Sequence, residues 1–159
     1  MDPLLFVDID GVISLFGFEP SDRPPGEFHS VDGIPHFLSA GAADSLRQLQ
    51  PHFELVWCSG WEEKANEYLP HLLGLPGPLP HLEFDRNPGR SHAHWKLDPI
   101  DRFASSRPLA WIDDALDDDC RAWADAREAP TLLVQTEPAC GIGEREVDKL
   151  ISWAAGLTP

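Results

Sequence analysis

Four stretches of the chain are continuous apolar runs too short for buried helices: Leu4 to Val7 prolonged by Ile9, Phe53 to Cys58, Leu109 to Asp114, and Thr131 to Thr136. Runs of this kind read as strands covered on both faces. Between them the apolar spacing changes to the helical period. Ala42, Leu46 and Leu49 follow a capping Ser39 and stop at Pro51, predicting a helix over 39–50. A second helix is predicted from Trp61 to Leu73, with Ala65, Tyr68, Leu69 and Leu72 on one face and Gly74 as its stop. Trp95 to Ser105 reads as a helix broken or restarted at Pro99, anchored by Leu97, Ile100, Phe103 and Ala104. Asp117 to Arg127 carries acidic residues in its first turn, where the helix dipole favours them. Glu144 to Ala155 closes the chain with Val147, Leu150, Ile151 and Ala154 on one side. Strands alternating with helices predict a three-layer, Rossmann-like α/β domain with a mostly parallel central sheet.

Two segments break the alternation. Residues 14–38 hold Pro20, Pro24, Pro25 and Pro35 and little periodicity, so a loop or small hairpin flap is expected. Residues 70–90 are rich in proline and glycine and leave room only for a short strand such as His81 to Phe84. Neither can build an independent cap domain, so residues 1–159 are read as one domain with an open site.

At 159 residues, 42% hydrophobic and 25% charged, the chain has the composition of one soluble globular domain, and no apolar run approaches membrane-spanning length. The first residues lack a basic region ahead of their apolar run, so no secretory signal is expected. Cys58, Cys120 and Cys140 are an odd number at unrelated spacings, which favours a reducing, cytoplasmic setting and argues against structural zinc. Twelve basic against 27 acidic residues give a net charge of −15, which opposes non-specific binding to nucleic acid or anionic lipid. A polyanionic substrate must then be drawn in by local groups and a metal.

The candidate chemistry lies where the apolar runs end. Asp8 and Asp10 sit in the first run just before Gly11. Charged carboxylates in an apolar strand cost several kcal/mol unless a cation, hydrogen bonds or a turn takes them up, and a pair of turn-initiating aspartates is the plain alternative. The second run ends at Ser59-Gly60 and the third at Asp113-Asp114, with a single lysine, Lys96, between them. In a parallel sheet these exits share the edge where ligands bind. His92 and His94 form an H-x-H, but no cysteine or third histidine is near in sequence, so surface or packing roles are expected.

The ordered set D-I-D-G, S-G, Lys96 and D-D resembles the four motifs of the haloacid dehalogenase-like (HAD) phosphohydrolases, in a minimal, capless form. The segments S-G-W-E-E-K-A-N, H-W-K-L and W-I-D-D further resemble the HAD domains of Swiss-army-knife RNA repair proteins. The resemblance implies hydrolysis of a phosphate monoester through an aspartyl phosphate. Asp8 would be the nucleophile and Asp10 the acid and then the base. Ser59, Gly60 and Lys96 would bind the phosphoryl group, and Mg²⁺ would be held by Asp8, Asp10 (through its backbone carbonyl), Asp113 and Asp114. Asp114 would hold metal-bound water or orient Lys96, with Asp117 and Asp118 as substitutes for it. Trp61 could present its face to a base or another flat leaving group. The substrate implied is phosphorylated and is a nucleotide or a nucleic-acid end.

Other readings fit less well. A response-regulator receiver places its acidic pair first and its phosphorylated aspartate before the Ser/Thr, the reverse of the order here. A non-catalytic phosphate- or partner-binding module would normally lack Asp8 or Asp10, and both are present. A phosphotransferase of the same fold, such as a phosphomutase, usually carries a sizeable cap.

Overall fold

The computed structural model describes residues 1–85 and 92–157. Its centre is a four-stranded parallel sheet of β1 (Leu4–Val7), β5 (Glu54–Trp57), β6 (Leu109–Asp113) and β7 (Thr131–Gln135), in the order β5-β1-β6-β7. All four predicted strands are present, and each pairs in parallel with its neighbour.

The alternation of side chains along β1 builds two cores. Leu5 and Val7 face a layer made by α1 (Ala40–Leu49), α2 (Lys64–Leu73) and α5 (Glu144–Ala155), through Leu46, Leu69 and Leu150 among others. Leu4 and Phe6 face α3 (Leu97–Ala104) and α4 (Asp118–Ala126), through Ile100, Ala104 and Cys120. Every residue of β1 is fully buried, which is why the strand reads as an uninterrupted apolar run rather than an alternating one. The fold is therefore the expected three-layer, Rossmann-like α/β arrangement, with no separate cap domain among the described residues.

Residues 14–38 form the flap. β2 (Ser14–Leu15), β3 (Gly26–Val31) and β4 (Ile34–Ser39) make a small antiparallel sheet in the order β2-β4-β3. Asp32-Gly33 joins β3 to β4, and both residues have positive φ, 52° and 80°, the backbone of a tight two-residue hairpin. Ser39 caps α1 as expected, its hydroxyl accepting from the Ala42 N–H at 3.2 Å.

Three local expectations are corrected. The second helix begins at Lys64 rather than Trp61, because Glu62 takes a positive φ of 51° and residues 59–63 form a turn. Its face is set by Ala65, Leu69 and Leu73, while Tyr68 points its hydroxyl at Asp32 in the flap. Pro99 does not break α3: it lies in the first turn, where its missing N–H is no loss. His81 to Phe84 is not a strand, since only His81 bridges Trp57; part of that proline-rich segment, residues 86–91, lies outside the described residues.

Candidate functional site

β1 is flanked by β5 on one side and β6 on the other, so its carboxyl end lies at the point where the chain's connections diverge and a crevice opens. Asp8 is the first residue past β1, and its N–H donates to the Ile112 carbonyl at 3.1 Å. The chain then folds back tightly, with the Ile13 and Ser14 N–H groups both donating to the Ile9 carbonyl, at 2.8 and 2.9 Å. Gly11 has φ +84°, and a Cβ there would overlap the Asp114 carboxylate. The turn and the space for Asp114 both require glycine at this position.

Lys96 reaches the same crevice from a short 3-10 turn, His94–Lys96, at the start of α3. Its Nζ lies 2.6 Å from Asp113, 3.1 Å from Asp8 and 3.1 Å from the Cys58 carbonyl, and only 4% of the residue is exposed. Burial opposes the ammonium charge, but the Asp8 and Asp113 carboxylates outweigh it and hold the Lys96 pKa above its ordinary value. Burial pushes the Asp8 pKa well above the usual carboxylate range, against the pull of Lys96 and with the help of Asp113. Asp114, half-buried, is pushed up to about 6 by burial and by Asp113. Asp113 is fixed from both ends, since its other oxygen accepts from the Ala115 N–H at 2.9 Å. Lys96 is thus oriented by Asp113 and Asp8 rather than by Asp114.

The carboxylates of Asp8, Asp113 and Asp114 lie with one oxygen each within 4.8 Å of one another. Among the described residues, three carboxylates here face one ammonium, an imbalance that a hard dication would relieve, and an all-oxygen donor set suits Mg²⁺. The Asp10 carboxylate lies outside that group and is held elsewhere. One oxygen accepts from Trp61 Nε1 at 3.2 Å and the other is 3.6 Å from His36 Nδ1. His36, on β4 of the flap, also bonds Ser14 Oγ at 2.9 Å and packs edge-on against Trp61 with ring centres 4.8 Å apart. Trp61 therefore holds Asp10 through its indole N–H as well as lining the cavity.

Ser59 and Gly60 lie in the turn after β5, four residues or more ahead of α2, and not at a helix start. The Ser59 hydroxyl is buried and accepts from the Trp61 N–H at 3.2 Å. Asp8, Asp10, Ser59, Gly60, Trp61, Lys96, Asp113 and Asp114 all line one cavity of about 310 Å³. Asp117 and Asp118 do not join them: Asp117 caps α4 through the Cys120 N–H, and Asp118 faces solvent beside Arg121. Sequence reasoning missed His36 and the flap residues Phe16, Asp32 and Ile34, which line the same cavity. No spacing rule connects them to the motifs, because the flap is irregular in sequence and its hairpin is set by Asp32-Gly33.

Comparison with curated proteins gives no match. Among protein families, residues 4–147 match the HAD domain in Swiss Army Knife RNA repair proteins. That match spans β1 through the first turn of α5 and includes every residue of the crevice. With Asp8 and Asp10, Ser59, and the Asp113-Asp114 pair at three adjoining strand exits and Lys96 reaching them from the turn before α3, the chain belongs to the family of HAD domains in Swiss Army Knife RNA repair proteins.

Proposed function

We propose that this protein is a Mg²⁺-dependent phosphoric monoester hydrolase acting through a phosphoryl group on Asp8. The observation that carries the reading is Asp8 itself: a carboxylate at the exit of the central strand, 3.1 Å from a buried lysine and beside two further carboxylates. Such a cluster is costly to fold unless it binds something. Its family is generally one of hydrolases, and phosphoryl transfer needs the parts present here: a nucleophile, compensating charge and a proton donor.

An Asp8 oxygen attacks phosphorus as the bond to the leaving oxygen breaks, and that oxygen takes a proton from the Asp10 carboxyl. The Asp10 carboxylate then takes a proton from water, which attacks phosphorus, breaks the bond to Asp8 and releases inorganic phosphate. The Ser59 hydroxyl and the Gly60 N–H hold phosphoryl oxygens, and Lys96 keeps Asp8 oriented. Asp8, Asp113 and Asp114, with the Asp10 backbone carbonyl, would hold Mg²⁺, which would supply the positive charge that lets an anionic nucleophile approach an anionic ester.

A nucleotide or a nucleic-acid end is the substrate class that the family's RNA repair context favours. The cavity supports it, since Phe16, Trp61 and Trp95 offer flat apolar walls next to the phosphoryl position. The test is phosphate release with Mg²⁺ across nucleotides, sugar phosphates, phosphopeptides and 3′- or 5′-phosphorylated oligonucleotides. Turnover of the nucleotide or oligonucleotide set above the others supports the assignment, and preference for a sugar phosphate or phosphopeptide overturns it.

A further inference from the structure

We propose that His92, His94 and Asp117 form a second metal site at the mouth of the cavity, built for a first-row transition dication such as zinc. The sequence gives His92 and His94 no third ligand, but the fold supplies one. Ala93, between the two histidines, is buried, and its N–H donates to the Ala115 carbonyl at 3.0 Å. That bond fastens the histidine pair to the loop after β6, two residues before Asp117. Each histidine is thereby held beside the same carboxylate.

The carboxylate is itself prepared. Asp117 Oδ1 accepts from the Cys120 N–H at 3.0 Å, while Oδ2 lies 2.9 Å from His94 Nδ1 and 3.9 Å from His92 Nδ1. The imidazole rings are 5.6 Å apart and inclined by 32°. Two ligands about 2.0–2.1 Å from a tetrahedral zinc lie about 3.3 Å from each other, and the two observed distances bracket that value. All three donor atoms fall within 4.8 Å of one another. A metal would need only small side-chain rotations.

Donor chemistry separates this site from the carboxylate cluster. Two imidazoles and one carboxylate favour zinc or its neighbours, whereas Asp8, Asp113 and Asp114 offer oxygen alone. The hydrogen bond from Cys120 orients the Asp117 ligand as an outer partner does in a metal site. His92 and His94 are 64% and 44% exposed at their side chains, which leaves the fourth position to water or to a ligand. Because His92 lines the catalytic cavity, a dication here would place positive charge at the entrance of a strongly acidic protein.

The site can be tested without any turnover. Untagged, metal-stripped full chain, in saturating Mg²⁺ to occupy the carboxylate cluster, is titrated with Zn²⁺ by calorimetry. One equivalent should bind in the micromolar range or tighter. His92→Gln and His94→Gln should each weaken it by about tenfold or more. Asp117→Ser, which keeps a helix cap and removes the carboxylate, should weaken it similarly. Co²⁺ should give the absorption of a four-coordinate site in wild type, and His94→Gln should lose it. Absence of micromolar Zn²⁺ binding in wild type, or equal binding by wild type and the His92→Gln/His94→Gln double variant, would overturn the proposal.

Discussion

His36 is held by Ser14 and set against Asp10, so a flap residue helps fix the carboxyl to which the proposed mechanism gives the proton transfers. Trp61 holds the other oxygen of the same group. Replacing His36 by Gln keeps a polar side chain but not the ring, and should leave Asp10 mispositioned. The loss should depend on the leaving group. An alkyl phosphate needs its oxygen protonated, so its kcat should fall by about tenfold to a hundredfold, while an aryl phosphate with a stable phenolate should be much less affected. Equal losses on both esters would mean that His36 supports the fold and not Asp10. Ser59 and Lys96 stood out only through the order of the four motifs, whereas Asp8, Asp10, Asp113 and Asp114 were legible in sequence, because charged groups at the ends of apolar runs are costly and therefore stand out. His36 was not, because its role depends on the flap folding back over the crevice.

At the scale of elements, the flap hairpin is fastened at its tip. Asp32 accepts from Lys64 and from Tyr68 of α2, the latter at 2.8 Å, and these bonds lower its carboxyl pKa. A lowered pKa means that the latch is formed at neutral pH and is lost only as acid protonates Asp32. Lys64→Ala with Tyr68→Phe, which removes both donors and leaves Asp32 in its positive-φ turn position, should leave the melting temperature nearly unchanged, since the pair is exposed. It should speed hydrogen exchange in β3 and β4 and raise KM for a nucleotide or phosphorylated oligonucleotide more than for an aryl phosphate. Unchanged exchange in the hairpin would show that the latch does not hold the flap. Apolar runs and helical periods were enough to locate the strands, α1, α4 and α5. The start of α2 was misplaced because the turn at Ser59 and Glu62 is governed by hydrogen bonds between segments, among them Glu62 to the Phe84 N–H at 2.8 Å. Tyr68 looked like a core residue because its spacing fits the buried face, and the latch is visible only once β3 and β4 are in place.

For the whole molecule, the acidic crevice couples stability to pH, and the proposed Mg²⁺ site would couple it to metal as well. Asp8 and Asp114 have folded pKa values above the ordinary 3.8, Asp114 at about 6. Carboxyls shifted in this direction stabilise the fold while protonated, and that contribution fades as pH rises through their folded values. In EDTA the melting temperature should therefore fall as pH rises from the ordinary value of 3.8 to about 6, where Asp114 has ionised and its destabilising contribution is complete. At the proposed Mg²⁺ site the ion would bind the ionised cluster and only the folded state, so the melting-temperature difference between Mg²⁺ and EDTA should be small near pH 5 and larger near pH 7.5. Asp113→Asn should shrink it. A difference that is absent, or independent of pH, would contradict a Mg²⁺ site at these carboxylates. The layered fold was legible from sequence because strands and helices alternate so regularly, and the order β5-β1-β6-β7 then brings the motifs together. The joining of His92, His94 and Asp117 was not legible, since it depends on one backbone bond between Ala93 and Ala115. The most direct measurement is Mg²⁺-dependent phosphate release by wild type and by Asp8→Asn, each shown to be folded by its thermal transition. Wild type should release phosphate with Mg²⁺ and not with EDTA, and Asp8→Asn, with an amide of nearly equal volume and no nucleophilic carboxylate, should release none under either condition. Turnover retained by Asp8→Asn, or equal release by wild type with and without Mg²⁺, would contradict hydrolysis through a phosphoryl group on Asp8.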